Sequence, residues 1–323
     1  MLWYTVFQQN GEEGRAIERR YLTYTVRPEQ AGETLGHLLK SALQLPQGMV
    51  SSLKWREDGL ALNGAAAHTD RRVQPGDLLR VRLDDPAAEN PAPPVALPLR
   101  FAYEDADMAV LEKPPGLLVH GAADGAPTVL NALAALWGRG QPVYPVHRLD
   151  RGTSGLLVLA RHPYAAERLR RALHTERFVR EYLALAAGEV PAASGLIDAP
   201  IAALDTGRYG VRADGRAART HYARIAAFPG GTLLRLRLDT GRTHQIRVHL
   251  ASLGCPLWGD TRYGGAADAA LQRPALHAAF LDLEQPVTGE RLRLRSPLPE
   301  DMSAFLQSKG VNYEREVDFL WQL

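Results

Sequence analysis

The sequence predicts an α+β fold: a large domain built on a mixed or antiparallel sheet, with a small N-terminal α/β domain in front of it. Three observations support this. After residue 99, strand-like segments outnumber helical ones, and turns rich in Gly and Asp separate them. The stretch 86–98 holds five prolines and no apolar periodicity, so it reads as an extended linker between domains at 1–85 and 99–323. At 323 residues the chain is long enough to bury two cores.

In chain order, residues 4–7 and 21–26 alternate around a charged turn, as a short hairpin does. Thr34 is placed to cap a helix whose apolar positions Leu35, Leu38, Leu39, Ala42 and Leu43 keep the helical period. A second helix is predicted over 47–56. Residues 60–62 run into Asn63-Gly64, a pair that tolerates positive φ, and after the turn at 73–77 residues 78–83 alternate as a strand. In the second domain, 108–113 is a strand ended by Pro114-Pro115-Gly116, and Thr128 caps a helix through Leu133 and Leu136. The run 156–160 is a central strand, and Pro163 suits the first turn of the helix after it. Residues 178–186, 222–228 and 232–238 are strands, with exposed Arg-bearing hairpins at 191–220. A helix is predicted over 243–253. Late strands at 276–283 and 292–295 pair around Thr288-Gly289, and 302–307 is a short helix.

Net charge is only +2, but its distribution is uneven. Residues 148–262 carry eighteen Arg and Lys against ten acidic residues, whereas 1–95 carry eleven basic and twelve acidic ones. A basic face dominated by arginine suits phosphate contacts and base stacking, which points to nucleic acid. A GC-rich coding sequence would also raise Arg over Lys. The single Cys255 excludes an intramolecular disulfide and a multi-thiolate metal site, and a reducing, cytoplasmic compartment follows as the expectation. The first residues show no signal-peptide pattern, and no run of eighteen apolar residues marks a membrane span.

The polar turn 147–155, His-Arg-Leu-Asp-Arg-Gly-Thr-Ser-Gly, stands directly before the apolar run 156–160. Polar groups beside a buried strand need partners or a chemical task. Asp150 is either an ordinary loop carboxylate paired with arginine or a nucleophile. Gly152 and Gly155 permit close approach of backbone or ligand, and Thr153 and Ser154 can donate hydrogen bonds. Tyr182 is either a core ring or one that stacks on a base and handles a proton. Arg247, flanked by Ile246 and Val248, is either solvent-facing or buried; if buried it demands a carboxylate, for which Asp150 is the attractive partner. Arg242, His244 and Gln245 stand at a helix start, where phosphate or base edges can be held.

His147, His244 and His249 suggest a metal, but the last two are five apart and do not stack as i, i+4 ligands, so no metal is expected. Ser154 lacks the Gly-x-Ser-x-Gly elbow, and no phosphate-binding Gly loop is present, so no nucleotide cofactor is indicated.

Three segments carry a resemblance. Residues 147–156, His-Arg-Leu-Asp-Arg-Gly-Thr-Ser-Gly-Leu, resemble the catalytic motif of the RluA family of RNA pseudouridine synthases. Residues 112–120, Glu-Lys-Pro-Pro-Gly-Leu-Leu-Val-His, resemble its first motif. Residues 241–250, followed by Gly259-Asp260, resemble its last; together the motifs span about residues 99–300. One departure is Gly152, where the family commonly has an acidic or polar residue. The resemblance implies a pseudouridine synthase catalytic domain and no metal or organic cofactor. It implies that Asp150 is the nucleophile, that Arg148 enters the RNA stack as the target flips out, that Tyr182 stacks on the base and takes part in proton transfer, and that Arg247 pairs with the catalytic carboxylate. The elements at 34–83, with Leu62-Asn63-Gly64 and Val73-Gln74-Pro75-Gly76-Asp77, resemble a small RNA-binding domain of ribosomal and RNA-modifying proteins.

The expected partner is structured RNA, ribosomal rather than transfer RNA, acted on by a monomer with no membrane association. Two alternatives stand beside this reading. A uridine glycosidase or nucleosidase would want a second carboxylate, for which Glu112, Asp260 and Asp282 are positional candidates. An RNA-binding ribosome-assembly factor would keep the fold without catalysis.

Overall fold

The apolar spacing of 35–53 is that of two short helices lying on a sheet. The computed structural model describes residues 19–313 except 54, 57, 86–87, 122–123 and 205–206. The hairpin arm expected at 4–7 lies outside the described residues. The first unit contains β1 (Tyr21–Thr25), α1 (Leu35–Ser41), α2 (Gln47–Leu53), β2 (Leu60–Leu62), β3 (Ala65–Ala66) and β4 (Leu78–Arg82). Its strands run β1-β4-β2-β3, and every pairing is antiparallel. Thr34 caps α1 by accepting from the His37 amide at 3.3 Å. Leu35, Leu38 and Leu39 meet Met49, Val50 and Leu53 over Leu79 and Val81, all buried. Each such leucine contributes roughly 1.5–3 kcal/mol of burial.

The second unit opens with β5 (Arg100–Glu104), β6 (Met108–Lys113), α3 (Val129–Trp137), β7 (Tyr144–Pro145), β8 (Ser154–Ala160), α4 (Pro163–Ala172) and β9 (Phe178–Ala187). There follow β10 (Ser194–Asp198), β11 (Ile201–Ala203), β12 (Tyr209–Val211), β13 (Arg219–Phe228) and β14 (Gly231–Leu238). It closes with α5 (Gln245–Ser252), β15 (Leu276–Glu284), β16 (Arg291–Arg295) and α6 (Glu300–Ser308). Its ten-stranded sheet runs β10-β13-β14-β9-β15-β8-β6-β5, with β16 on β15 and β7 on β8. Only β8 and β15 pair in parallel, which makes the sheet mixed.

All seven residues of β8 are buried. Alternation sends Leu157 and Leu159 to one face, into the core shared with Leu133 of α3 and Ile246 of α5. Leu156, Val158 and Ala160 face the other way, against Ala165 and Leu169 of α4. The β8–β15 pairing lasts only two residues, Ser154 with His277 and Gly155 with Ala278. Beyond it the strands part, and the segment before the polar turn fills the gap. Val146 donates to Val158 O at 3.0 Å, and the Val158 amide donates to His147 Nε2 at 3.2 Å, so a side chain completes the ladder.

The proline-rich stretch is fastened to the second unit: Asn90 is 1% exposed and donates to Leu130 O and Arg139 O, while Asn131 of α3 donates to Pro93 O. Proline denies it a sheet partner, but side-chain amides hold it in place. Two expectations beside it need correction. The helix expected from 243 begins at Gln245, because His244 adopts the left-handed region (φ 56°). The Arg-bearing region 191–220 is only partly exposed: β10 is an edge strand on β13, and Ile201 and Ala218 are buried with Val248 of α5.

The two units share contacts. Tyr164 of α4 is buried in the first unit's core. Arg20 binds Asp107 through two hydrogen bonds of 2.7 and 2.8 Å, and the same buried carboxylate engages His162 and Gln285.

Candidate active site

The polar turn is built before it is decorated. Thr153 N donates to Asp150 O at 3.1 Å, and Gly116 N donates to Arg151 O at 2.7 Å. Lys113, 1% exposed, gives its ammonium to Pro114 O, Leu117 O and Arg151 O at 2.8, 2.7 and 3.3 Å. Burial, reinforced by Arg273, draws this lysine down to about 7, and the Asp150 charge opposes the shift. Arg273 Nη1 donates to Gly152 O at 2.9 Å. Gly152 itself has no room for a side chain, since a Cβ would lie 2.9 Å from Pro274 Cδ; the departure from the family pattern is therefore a packing feature. Gly155 holds φ +108°, and a Cβ there would lie 2.2 Å from Ala278 O.

Asp150 sits at the mouth of a cleft between this turn, β9 and the 238–247 segment. Arg247, buried on α5, makes its good hydrogen bonds elsewhere: Nε and Nη2 clasp Asp260 at 2.7 and 2.8 Å, while Nη1 stands 3.4 Å from Asp150 Oδ2. The Arg247–Asp150 pair expected from sequence is present, and Asp260, 1% exposed, is a second and closer partner of the arginine. The Tyr263 ring stacks under the Arg247 guanidinium at 4.9 Å. His244 Nε2 lies 3.9 Å from Asp150 Oδ2. The Tyr263 hydroxyl accepts from Tyr209 N at 3.2 Å and hydrogen-bonds His244 Nδ1 at 2.8 Å, which fixes the ring with Nε2 toward Asp150. Burial lowers the His244 pKa, with Asp150 pulling the other way, so the ring is neutral near pH 7.

Residues 107–252 match the family model described as RNA pseudouridylate synthase. The chain is 38% identical to ribosomal large subunit pseudouridine synthase D of Nitrosomonas europaea, over 94% of this chain and 92% of that one. The chain belongs to the RluA family of RNA pseudouridine synthases. It is also 36% identical to the uncharacterized RNA pseudouridine synthase YlyB of Bacillus subtilis, over 89% of this chain and 98% of that protein. Among solved structures, human RNA pseudouridylate synthase domain containing 4 is similar, with a TM-score of 0.54 and 26% identity over 64% of this chain and 91% of that one. The family acts on RNA, and the α+β catalytic fold expected from sequence is the fold it has.

In this pseudouridine synthase the other sequence-selected residues divide by environment. Tyr182, 4% exposed, lines the cleft from β9, two strands from Gly155 through Ala278 and therefore about 10 Å away across the sheet. Burial raises its hydroxyl, so the phenol is neutral in the resting site. Arg148 is exposed on the cleft rim and has no hydrogen-bond or ion-pair partner among the described residues. Arg242 spends Nε on Ala217 O at 2.9 Å. Gln245 is corrected: it is 3% exposed, its oxygen accepts from Thr240 Oγ1 and Arg242 N, and its nitrogen donates to Arg219 O and Thr220 Oγ1. All four amide positions are filled, so Gln245 shapes the turn and has nothing left for RNA.

His147 serves the β8 ladder, and His249 is consumed by Thr220 Oγ1 and Ala199 O. The cleft walls carry seven arginines, at 148, 151, 180, 242, 247, 262 and 273, against one acid, Asp150. Two of the site's main features were missed from sequence, Asp260 as the anchor of Arg247 and the buried Arg180. Gly259-Asp260 stood beside the last motif, and the i, i+2 spacing of Arg180 and Tyr182 places both on one strand face.

Proposed function

We propose that this enzyme converts a uridine of large-subunit ribosomal RNA to pseudouridine, with Asp150 as nucleophile. The observation that supports it is the division of labour at Arg247. Its two short hydrogen bonds go to Asp260, while Nη1 makes a longer one of 3.4 Å to Asp150. Asp150 therefore faces the cleft beside a cation that is anchored mainly to another carboxylate. The ribosomal assignment leans on relatives named for that activity.

Arg148 and Arg242, at the arginine-lined rim, hold backbone phosphates, and Arg148 fills the stack that the flipped uridine vacates. The carboxylate assists cleavage of the C1′–N1 bond, by attack on the sugar or through a glycal. The freed uracil turns against the Tyr182 ring, and C5 bonds to C1′. The C5 proton then leaves; the neutral Tyr182 hydroxyl takes it only by passing its own proton on, so it acts as a relay. His244 Nε2, 3.9 Å from Asp150 Oδ2, walls the carboxylate on that side. Asp260, the nearest second acid, is bound to Arg247 and unavailable as the general acid a glycosidase needs. The 19–85 region adds an RNA-binding surface, and the enzyme works as a cytoplasmic monomer. Among the described residues no helix is long and apolar enough to cross a membrane.

Asp150→Asn is expected to abolish isomerisation while leaving RNA affinity and folding intact. Near wild-type turnover in that variant would refute the assignment. Mapping pseudouridine in ribosomal and transfer RNA from a deletion strain identifies the substrate, and a site lost only from transfer RNA would overturn the ribosomal choice.

A further inference from the structure

Arg180 is the one buried arginine of the cleft with no carboxylate partner among the described residues; its side-chain hydrogen bond is to the neutral Tyr182 phenol. It is 7% exposed, and its Nη2 has no hydrogen-bond partner among the described residues. Its neighbour in sequence, Glu181, points to the opposite face of β9 and pairs with Arg235 at 2.8 Å. Arg180 instead shares a face with Tyr182, and both line the cleft that holds Asp150. A guanidinium stays charged in proteins, and a buried one with a neutral phenol as partner and an orphaned Nη2 is costly to hold. A site that keeps one needs an anion to arrive. The rim arginines are exposed and suit the phosphodiester; Arg180 lies deeper, beside the ring expected to stack on the base.

We propose that Arg180 is a further catalytic residue, whose guanidinium stabilises the uracil anion released during the reaction. When C1′–N1 breaks, the bonding pair leaves with the base and gives a uracil monoanion, its charge shared by N1, O2 and O4. The electron deficiency at C1′ is met by a bond to Asp150, or by loss of the C2′ proton. C5 then attacks C1′ with an electron pair of that anion, displacing the Asp150 carboxylate or, on the glycal route, with Asp150 returning the proton to C2′; the C5 proton departs to solvent, so reactant and product are isomers. A buried cation gains little from neutral uridine and much from the anion, and that difference lowers the barrier. This rests on the reading that Asp150 opens the glycosidic bond in this cleft.

The test uses the full-length enzyme in single turnover on RNA transcripts that the wild type isomerises, made with uridine or with 5-fluorouridine. Fluorine at C5 makes the departing base a more stable anion. Arg180→Met is expected to slow uridine consumption by about 100-fold but 5-fluorouridine consumption by about 10-fold or less. Arg180→Lys, which keeps a cation, is expected to recover part of the uridine rate. RNA affinity and its salt dependence stay at wild-type values in both variants. Equal losses on the two substrates would overturn the proposal. So would a loss confined to affinity, accompanied by a smaller salt slope, which marks a phosphate contact instead. Asp150→Asn run in parallel separates the two readings. If it is inactive while Arg180→Met fails the fluorine test, only the role of Arg180 falls; if it stays active, both fall.

Discussion

Arg247 is shared by two carboxylates, and a double-mutant cycle measures how. Asp260 takes two hydrogen bonds from it and is 1% exposed, so neither group can be removed without stranding the other. Breaking one side of such a pair costs about 3–5 kcal/mol, whereas replacing both sides with apolar groups costs much less. Arg247→Met and Asp260→Leu are each expected to lose about 3–5 kcal/mol in urea denaturation, and the double variant no more than the worse single, a coupling of about 3 kcal/mol. Chemistry should not follow stability. At an effective dielectric of about 20 a cation 3.4 Å from Asp150 contributes about 5 kcal/mol of attraction before desolvation, and the double variant loses all of it. It should therefore be as stable as either single variant and still be inactive. Additive stability losses, or a double variant that isomerises uridine at the wild-type rate, would refute this account of the site.

Two further outcomes follow from the strand junction behind Asp150. Gly155→Ala forces a Cβ to 2.2 Å from Ala278 O at φ +108°, and it is expected to destabilise by more than about 3 kcal/mol, read as a fall in denaturation midpoint. His277, 2% exposed, accepts from Ser154 at Nδ1 and donates to Ser296 O, and burial pushes it down to about 4. Because the unfolded chain takes up that proton first, the stability this neutral ring supplies is complete above about pH 6.5 and falls by about 3 kcal/mol toward pH 4. His277→Gln should flatten that part of the stability profile, and an unchanged slope would exclude His277 as its source.

Strands and helices were legible wherever burial imposes a period. The alternation of Leu156 to Ala160 describes a strand buried on both faces, and Thr34 and Thr128 cap their helices by the chemistry their sequence suggests. Asp150 stood out because polar residues crowd against that strand. What escaped sequence reading depends on choices made across the fold. Nothing local tells Arg247 to prefer Asp260 over Asp150, since both are carboxylates and only the α5 approach decides. The left-handed backbone of His244 depends likewise on Tyr263 receiving its ring, and the saturation of Gln245 on β13 lying beneath it. The anchors of the proline-rich linker are single amides without periodicity, which is why sequence gives no sign of them.

The one parallel junction also bears on how the enzyme is made. Ser154 and His277 are separated by 123 positions, so β8 is synthesised long before the strand that completes its leading end. At about 5–20 residues per second, that delay is about 6–25 s on the ribosome. Through that interval β8 is partnered by β6 on one side and by β7 at its far end on the other, and only its leading end, Ser154 and Gly155, waits for the strand that covers it. Arg247 and Asp260 are made within that delay, so a product that stops before β15 would hold the Asp150 turn and its arginine without the strand that covers the turn's exit into β8.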